Sequence, residues 1–143
     1  MTTIEQALET DRLAIERLLT AGGLPLDGLE ASLQTAVVAR AEGEIVGCAA
    51  VEPYGSVGLL RSVCVAPDVR GTGLGRRLVM GAEMLAADRG VSELYLLTET
   101  AQAWFPRLGY VASTRAAVPA ALAASPEFTD ACPQGAAVLH KRL

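Results

Sequence analysis

The stretch Leu59-Leu-Arg-Ser-Val-Cys-Val-Ala-Pro-Asp-Val-Arg-Gly-Thr-Gly-Leu-Gly-Arg76 decides the fold. Through Val65 it is apolar except for Arg61 and Ser62, which predicts a strand; beyond Pro67 the pattern turns helical. Leu78, Val79, Met80, Ala82, Met84, Leu85 and Ala86 give a rather apolar helix that should end at Arg89-Gly90. Between strand and helix, Gly71, Gly73 and Gly75 stand at alternate positions. Such a junction bares backbone N–H groups to an anion, and a helix N-terminus adds about half a positive charge. Phosphate is the obvious guest, with Arg70, Arg76 and Arg77 supplying further charge. Three alternating glycines carry a large entropic cost if nothing approaches them.

Spacing restricts which phosphate compound the loop can hold. A nucleotide P-loop needs GxxxxGK[ST], and no Lys followed by Ser or Thr occurs in the chain. The dinucleotide fingerprint GxGxxG would put its third glycine at Arg76, and the strand before the loop belongs to an antiparallel meander instead of opening a βαβ unit.

Outward from the loop, Thr2 to Ala7 can form a short strand, and Thr10 or Asp11 can cap a helix carrying Leu13, Ala14, Leu18 and Leu19 that stops at Gly22-Gly23. Residues 24–32 read as a short second helix or an irregular turn. From Thr35 the period becomes that of strands: a hairpin turning at Glu42-Gly43, a second turn at residues 53–56, then the strand that leads into the glycine loop. Residues 92–98 form a fifth strand, residues 100–108 contain a short helix, and Gly109-Tyr110-Val111 starts another strand. Residues 119–124 are helical, and residues 136–143 form the last strand. The order predicts an α+β fold with a mixed, largely antiparallel central sheet flanked by helices, in one domain over residues 1–143.

With 51% hydrophobic and 20% charged residues, the composition is that of an ordinary globular domain. A net charge of −4 argues against a general nucleic-acid surface. The longest apolar runs, such as residues 116–124, fall far short of the roughly 18–20 residues that span a bilayer, and no signal peptide is visible, so the expected location is the cytoplasm. Cys48, Cys64 and Cys132 are odd in number and lack metal-ligand spacing, and His140 has no second ligand nearby. The expectation is three buried thiols and no metal.

The arrangement Val63-Cys-Val-Ala-Pro-Asp-Val-Arg-Gly-Thr-Gly-Leu-Gly75 resembles the acetyl-CoA signature of the GNAT superfamily of N-acetyltransferases, a strand followed by [Q/R]xxGxG/A, with Arg70, Gly73 and Gly75 at its defining positions. Ala103-Trp-Phe-Pro-Arg-Leu-Gly-Tyr110 resembles its second signature, a short helix ending in LGF or LGY. The segment from Glu52 to Val63, with the strand at 92–98, is similar to the small amino-acid acetyltransferases akin to N-acetylglutamate synthase and to those that accompany arsenic-resistance operons.

The resemblance implies an acetyl-CoA-dependent N-acetyltransferase acting on a small-molecule amine, an amino acid or an amino-acid-like compound, and is compatible with a homodimer. The CoA pyrophosphate would lie on the amides of Gly71, Thr72, Gly73, Leu74, Gly75 and Arg76, and the pantetheine arm would pair like an extra strand with Val63 and Val65. A β-bulge at residues 62–64 would aim a backbone N–H, around Cys64, at the thioester carbonyl.

Acyl transfer to an amine of pKa ~10.4 at neutral pH requires removal of a proton at a cost of about 4–5 kcal/mol, which a general base offsets. Glu52, at the end of a hairpin strand, and Glu99, after the fifth strand, are the candidates, each against the alternative of a solvated carboxylate. Arg61, two residues before Val63, is expected on the same face as Val63 and Val65, where it could grip a substrate carboxylate or serve only as an edge charge. Many members of the family carry a Tyr that protonates the departing thiolate four residues before the LGF glycine. Here that position is Phe105, and Tyr54, Tyr95 or water could substitute. A catalytically silent acyl-CoA-binding module is the competing reading.

Overall fold

The structure, a computed structural model, describes residues 1–128 and 135–143. Its strands are β1 (Thr2–Gln6), β2 (Ala36–Ala41), β3 (Glu44–Tyr54), β4 (Val57–Val65), β5 (Glu93–Thr98), β6 (Val111–Ser113) and β7 (Ala137–Arg142). They form one sheet in the order β1-β2-β3-β4-β5-β7-β6. Every neighbouring pair is antiparallel except β4 and β5, which run parallel. The helices are α1 (Arg12–Ala21), α2 (Leu29–Ser32), α3 (Leu74–Asp88) and α4 (Ala120–Ala123).

Local chemistry sets the boundaries. Glu42 and Gly43 both take positive φ, 51° and 82°, which gives the two-residue turn whose twist suits a hairpin. The next turn is tighter than the sequence suggests. Pro53 and Tyr54 stay in β3, opposite Gly58 and Val57, and Gly55 at φ 70° takes the reversal. Asp11 sits before α1, but its carboxylate accepts from the Leu8 N–H and from Arg40, each at 2.9 Å, and so joins the helix entry to β2. The helix ends at Gly22, as its paired glycines predict.

Alternation along β2 to β4 divides the core between the two faces of the sheet. On one face α3 buries Leu74, Leu78, Val79 and Ala82 against Val37, Val51 and Leu60. On the other, Ile15 and Leu19 of α1 meet Val38, Cys48 and Ala50. Each large aliphatic side chain so buried contributes about 1.5–3 kcal/mol relative to exposure. Leu122 of α4 and Phe128 add a third cluster on Leu59, Tyr95 and Val138. Cys48 and Cys64 are buried free thiols, and Cys132 lies outside the described residues.

One irregularity positions the site. Cys48 pairs with Cys64 and Ala50 with Arg61, so Ala49 faces two residues of β4, and Ser62 takes φ 57° at the bulge. The extra residue reverses the alternation. Leu60, Val63 and Val65 face α3, while Cys64 packs on the α1 side and Arg61 turns toward Glu52. The expectation that Arg61 shares a face with Val63 and Val65 is therefore corrected: simple alternation fails across a bulge.

Candidate active site

β4 and β5 pair only where Val57, Gly58 and Leu59 meet Glu93, Leu94 and Tyr95. Past Leu59 they diverge, and on that side the backbone of β4 from Arg61 to Val65 has no strand partner among the described residues. A cavity of about 400 Å³ opens in the gap, with Arg61, Ser62 and Val63 on one wall and Thr98, Trp104 and Phe105 on another.

At the end of β4 the chain enters the glycine loop. Gly71 and Gly73 take φ 78° and 80°, and a Cβ at either would meet nothing within 4 Å, so both face open space. The N–H groups of Gly71 through Arg76 find no acceptor among the described residues, whereas the Arg77 N–H reaches the Gly73 carbonyl at 3.2 Å. A run of amides at the N-terminus of a 15-residue helix is a cradle for an anion. The Thr72 hydroxyl donates to the Val69 carbonyl at 2.7 Å, and Arg70 Nε donates to that of Val65 at 3.1 Å, bracing the loop against the strand end. A cleft of about 210 Å³ lies on the cradle, lined among others by Val65, Arg70, Gly73, Leu74, Arg76 and Trp104. Trp104 lines both this cleft and the cavity between the strands, so the two adjoin. An added Cβ on Gly75 would lie 3.3 Å from its indole, which makes this glycine one of close packing.

The candidate carboxylates separate. Glu52 is 1% exposed and does not line the cavity. It accepts from Arg61 Nη1 at 2.8 Å, from Ser125 Oγ at 3.0 Å and from the Tyr54 hydroxyl. The Arg61 side chain is 0% exposed, and its remaining donors go to Ser62 Oγ at 3.1 Å and the Pro25 carbonyl at 3.4 Å. Gly28, at φ 82°, covers this pair: a Cβ there would lie 2.5 Å from Arg61 Nη1. Neither side chain is a solvated strand-end charge; together they form a closed ion pair. Glu99 is exposed at the rim of the cavity.

The residue that sequence reasoning missed is Glu127. It is 5% exposed and lines the cavity, and its carboxylate has no hydrogen bond or ion pair among the described residues. Burial pushes it up to about 7, with Arg61 opposing and Glu52 and Asp27 adding to the rise. Its N–H donates to Ser125 Oγ at 3.3 Å, and the same hydroxyl donates to Glu52. Its one signal in the sequence is that it is the lone charge between Arg115 and Asp130.

No tyrosine lines the cavity. Tyr54 donates to Glu52, Tyr95 to the Ala117 carbonyl at 3.4 Å, and Tyr110 to Glu83 at 2.8 Å. Phe105 is buried edge-to-face between Trp104 and Tyr110, where it closes the cavity as an apolar wall.

Comparison with known proteins bears on the family and the fold. The acetyltransferase (GNAT) domain family matches residues 32–112, more than half of the chain. An amino-acid acetyltransferase of Ralstonia nicotianae is 39% identical over 88 residues, which is 60% of this chain and 20% of that protein, so the chain spans only about a fifth of that relative's length. N-acetylglutamate synthase from Neisseria gonorrhoeae, solved with coenzyme A and N-acetyl-glutamate, superposes with a TM-score of 0.83 at 23% identity, covering 100% of this chain and 35% of that one. A Mycobacterium tuberculosis protein solved with CoA superposes with a TM-score of 0.81 at 24% identity, covering 99% of both chains. These two superpositions carry the fold.

Proposed function

The chain belongs to the acetyltransferase (GNAT) domain family, and from that premise we propose that it transfers the acetyl group of acetyl-CoA to the amine of a small molecule, an amino acid or an amino-acid-like compound. One observation carries the reading: the edge of β4 beyond Leu59, the open amides of Gly71 to Arg76 and the cavity between β4 and β5 lie side by side, with Trp104 lining both the cleft on the amides and the cavity. An extended, amide-bearing arm suits a strand edge, and its diphosphate suits a helix N-terminus. The pantetheine then runs along Val63 and Val65 toward the bulge at Ser62, where a backbone N–H can polarise the thioester carbonyl. The acceptor amine comes from the cavity. The relatives named as amino-acid acetyltransferases support an amino-acid-like acceptor.

The departing thiolate needs no tyrosine. A thiol of pKa near 8.5 leaves as a tolerable anion at neutral pH, and the vacant role at Phe105 costs little on that ground.

The test is release of free thiol from acetyl-CoA in the presence of a panel of amino acids and simple amines. At least one acceptor should release thiol and gain an acetyl group. CoA that binds while every acceptor stays unmodified would instead make the protein a silent binding module.

A further inference from the structure

The acceptor cavity contains a carboxylate that acyl transfer would use and that the ion pair beneath it leaves free. We infer that Glu127 receives the acceptor's ammonium and takes its proton, with Glu52, Arg61 and Ser125 serving as the frame that positions it. The inference rests on the acyl-transfer reading above and adds the identity of the proton acceptor.

Three observations lead there. Among the described residues, the ionisable ones lining the cavity are Arg61, Glu99 and Glu127. Arg61 is neutralised by Glu52 and its side chain is closed off, so the charge left facing an acceptor is negative. Second, Glu52 is covered and bonded to three donors, which leaves it no route to the acceptor nitrogen. Glu99 sits at the exposed rim, where water screens a carboxylate's hold on an ammonium. Glu127 is buried and, among the described residues, unpaired, and a buried carboxylate without a partner is costly unless a cation arrives. Third, its position is built: the Ser125 hydroxyl accepts the Glu127 N–H and donates to Glu52, which fixes the segment over β3 and β4.

Among the described residues, the charged groups that act on Glu127 are Arg61 from β4, Glu52 from β3 and Asp27 from the loop before α2. Burial is the main cause of the rise; Arg61 opposes it, and Glu52 and Asp27 add to it. The result is a base that holds a proton below pH of about 7 and gives it up above, near the value at which a general base works best at neutral pH.

The step balances as follows. The acceptor enters as an ammonium and passes one proton to the Glu127 carboxylate. Its nitrogen lone pair forms a bond to the thioester carbonyl carbon, and the carbonyl pair moves to oxygen. Collapse breaks the C–S bond, the thiolate leaves with that electron pair, and the nitrogen's surplus proton goes to sulfur. Glu127 then returns its proton to water at the cavity mouth, so one acetylamide, one free thiol and one proton result.

The experiment compares the unaltered protein with Glu127→Gln and Glu127→Asp, using glutamate, glutamine, lysine, phenylalanine and 2-phenylethylamine as acceptors. For Glu127→Gln, kcat should fall about a hundredfold or more while the CoA dissociation constant stays unchanged. The rise of kcat/KM through a pH of about 7 should disappear, and Glu127→Asp should recover part of the rate. Calorimetry on the CoA-bound protein, which needs no turnover, should find the best acceptor bound about tenfold more weakly by Glu127→Gln, the loss expected for one charge-assisted contact. A Gln variant that keeps its rate and its acid limb, or binds the acceptor equally well, would overturn the assignment while leaving the acyl-transfer reading intact. Failure of the unaltered protein to bind or acetylate any of the five would overturn both.

Discussion

Glu127 and Arg61 reverse the weights that their neighbourhoods in the sequence suggest. A carboxyl whose folded value is raised from 4.5 to about 7 binds protons more tightly in the native state than in the unfolded chain. Its contribution to stability is complete below the unfolded value and is lost as pH rises through the folded one. The loss is on the order of 3 kcal/mol at one residue. Thermal melts of the unaltered protein and Glu127→Gln should therefore match most closely near pH 5 and diverge toward pH 8, with the Gln variant the more stable at the alkaline end. A constant difference would mean that this carboxyl does not titrate in that window. For Arg61 the expectation is a loss of stability instead of a substrate effect. Removing the guanidinium strands Glu52 in the interior, and breaking one side of such a pair costs about 3–5 kcal/mol. Arg61→Ala should unfold at clearly lower denaturant concentration, and its KM should change no more for acceptors with a carboxylate than for those without. A selective rise in KM for carboxylate-bearing amines would restore Arg61 as a substrate ligand.

At the scale of elements, the glycine loop was legible because its chemistry is local. Alternate glycines between a strand and an apolar helix announce a bare helix N-terminus, and the structure leaves those amides without acceptors. Turns at Glu42-Gly43 and Gly22-Gly23 were equally legible, since only a few residues tolerate positive φ. The bulge at Ser62 was expected, yet its consequence for Arg61 was not, because one inserted residue exchanges the two faces of everything beyond it. The cradle yields a graded prediction. Gly73 caps α3 in the left-handed region, so Gly73→Val should weaken CoA binding by tenfold or more and also destabilise the fold by about 1–2 kcal/mol. Arg76→Ala, at an exposed position without backbone strain, should weaken CoA binding while leaving the melting temperature within a degree or two. Its CoA affinity should also fall less steeply with added salt than that of the unaltered protein. CoA affinity unchanged by both substitutions would place the diphosphate elsewhere.

Across the whole molecule, the succession of strands and helices along the chain follows from periodicity, whereas the composition of the cavity does not. Glu52, Arg61 and Glu127 come from β3, β4 and the return after α4, so 65 residues of chain lie between Arg61 and Glu127. No local pattern encodes that meeting. The four-residue α4 has too little length to display an amphipathic period, and the Ser-Pro-Glu-Phe segment after it reads as a loop until the Ser125 hydroxyl is seen joined to Glu52. On the proposed function the architecture divides the work: the β4 edge and α3 N-terminus would offer the acyl donor a seat made of backbone, and distant side chains gathered in the gap would handle the amine. The measurement that tests this division most directly is a crystal structure of the protein with CoA. The diphosphate should lie on the amides of Gly71 to Arg76, the pantetheine along Val63 and Val65 between β4 and β5, and the thiol at the mouth of the cavity that holds Glu127. CoA bound anywhere else, such as the groove between Ile4 and Met84, would contradict the account.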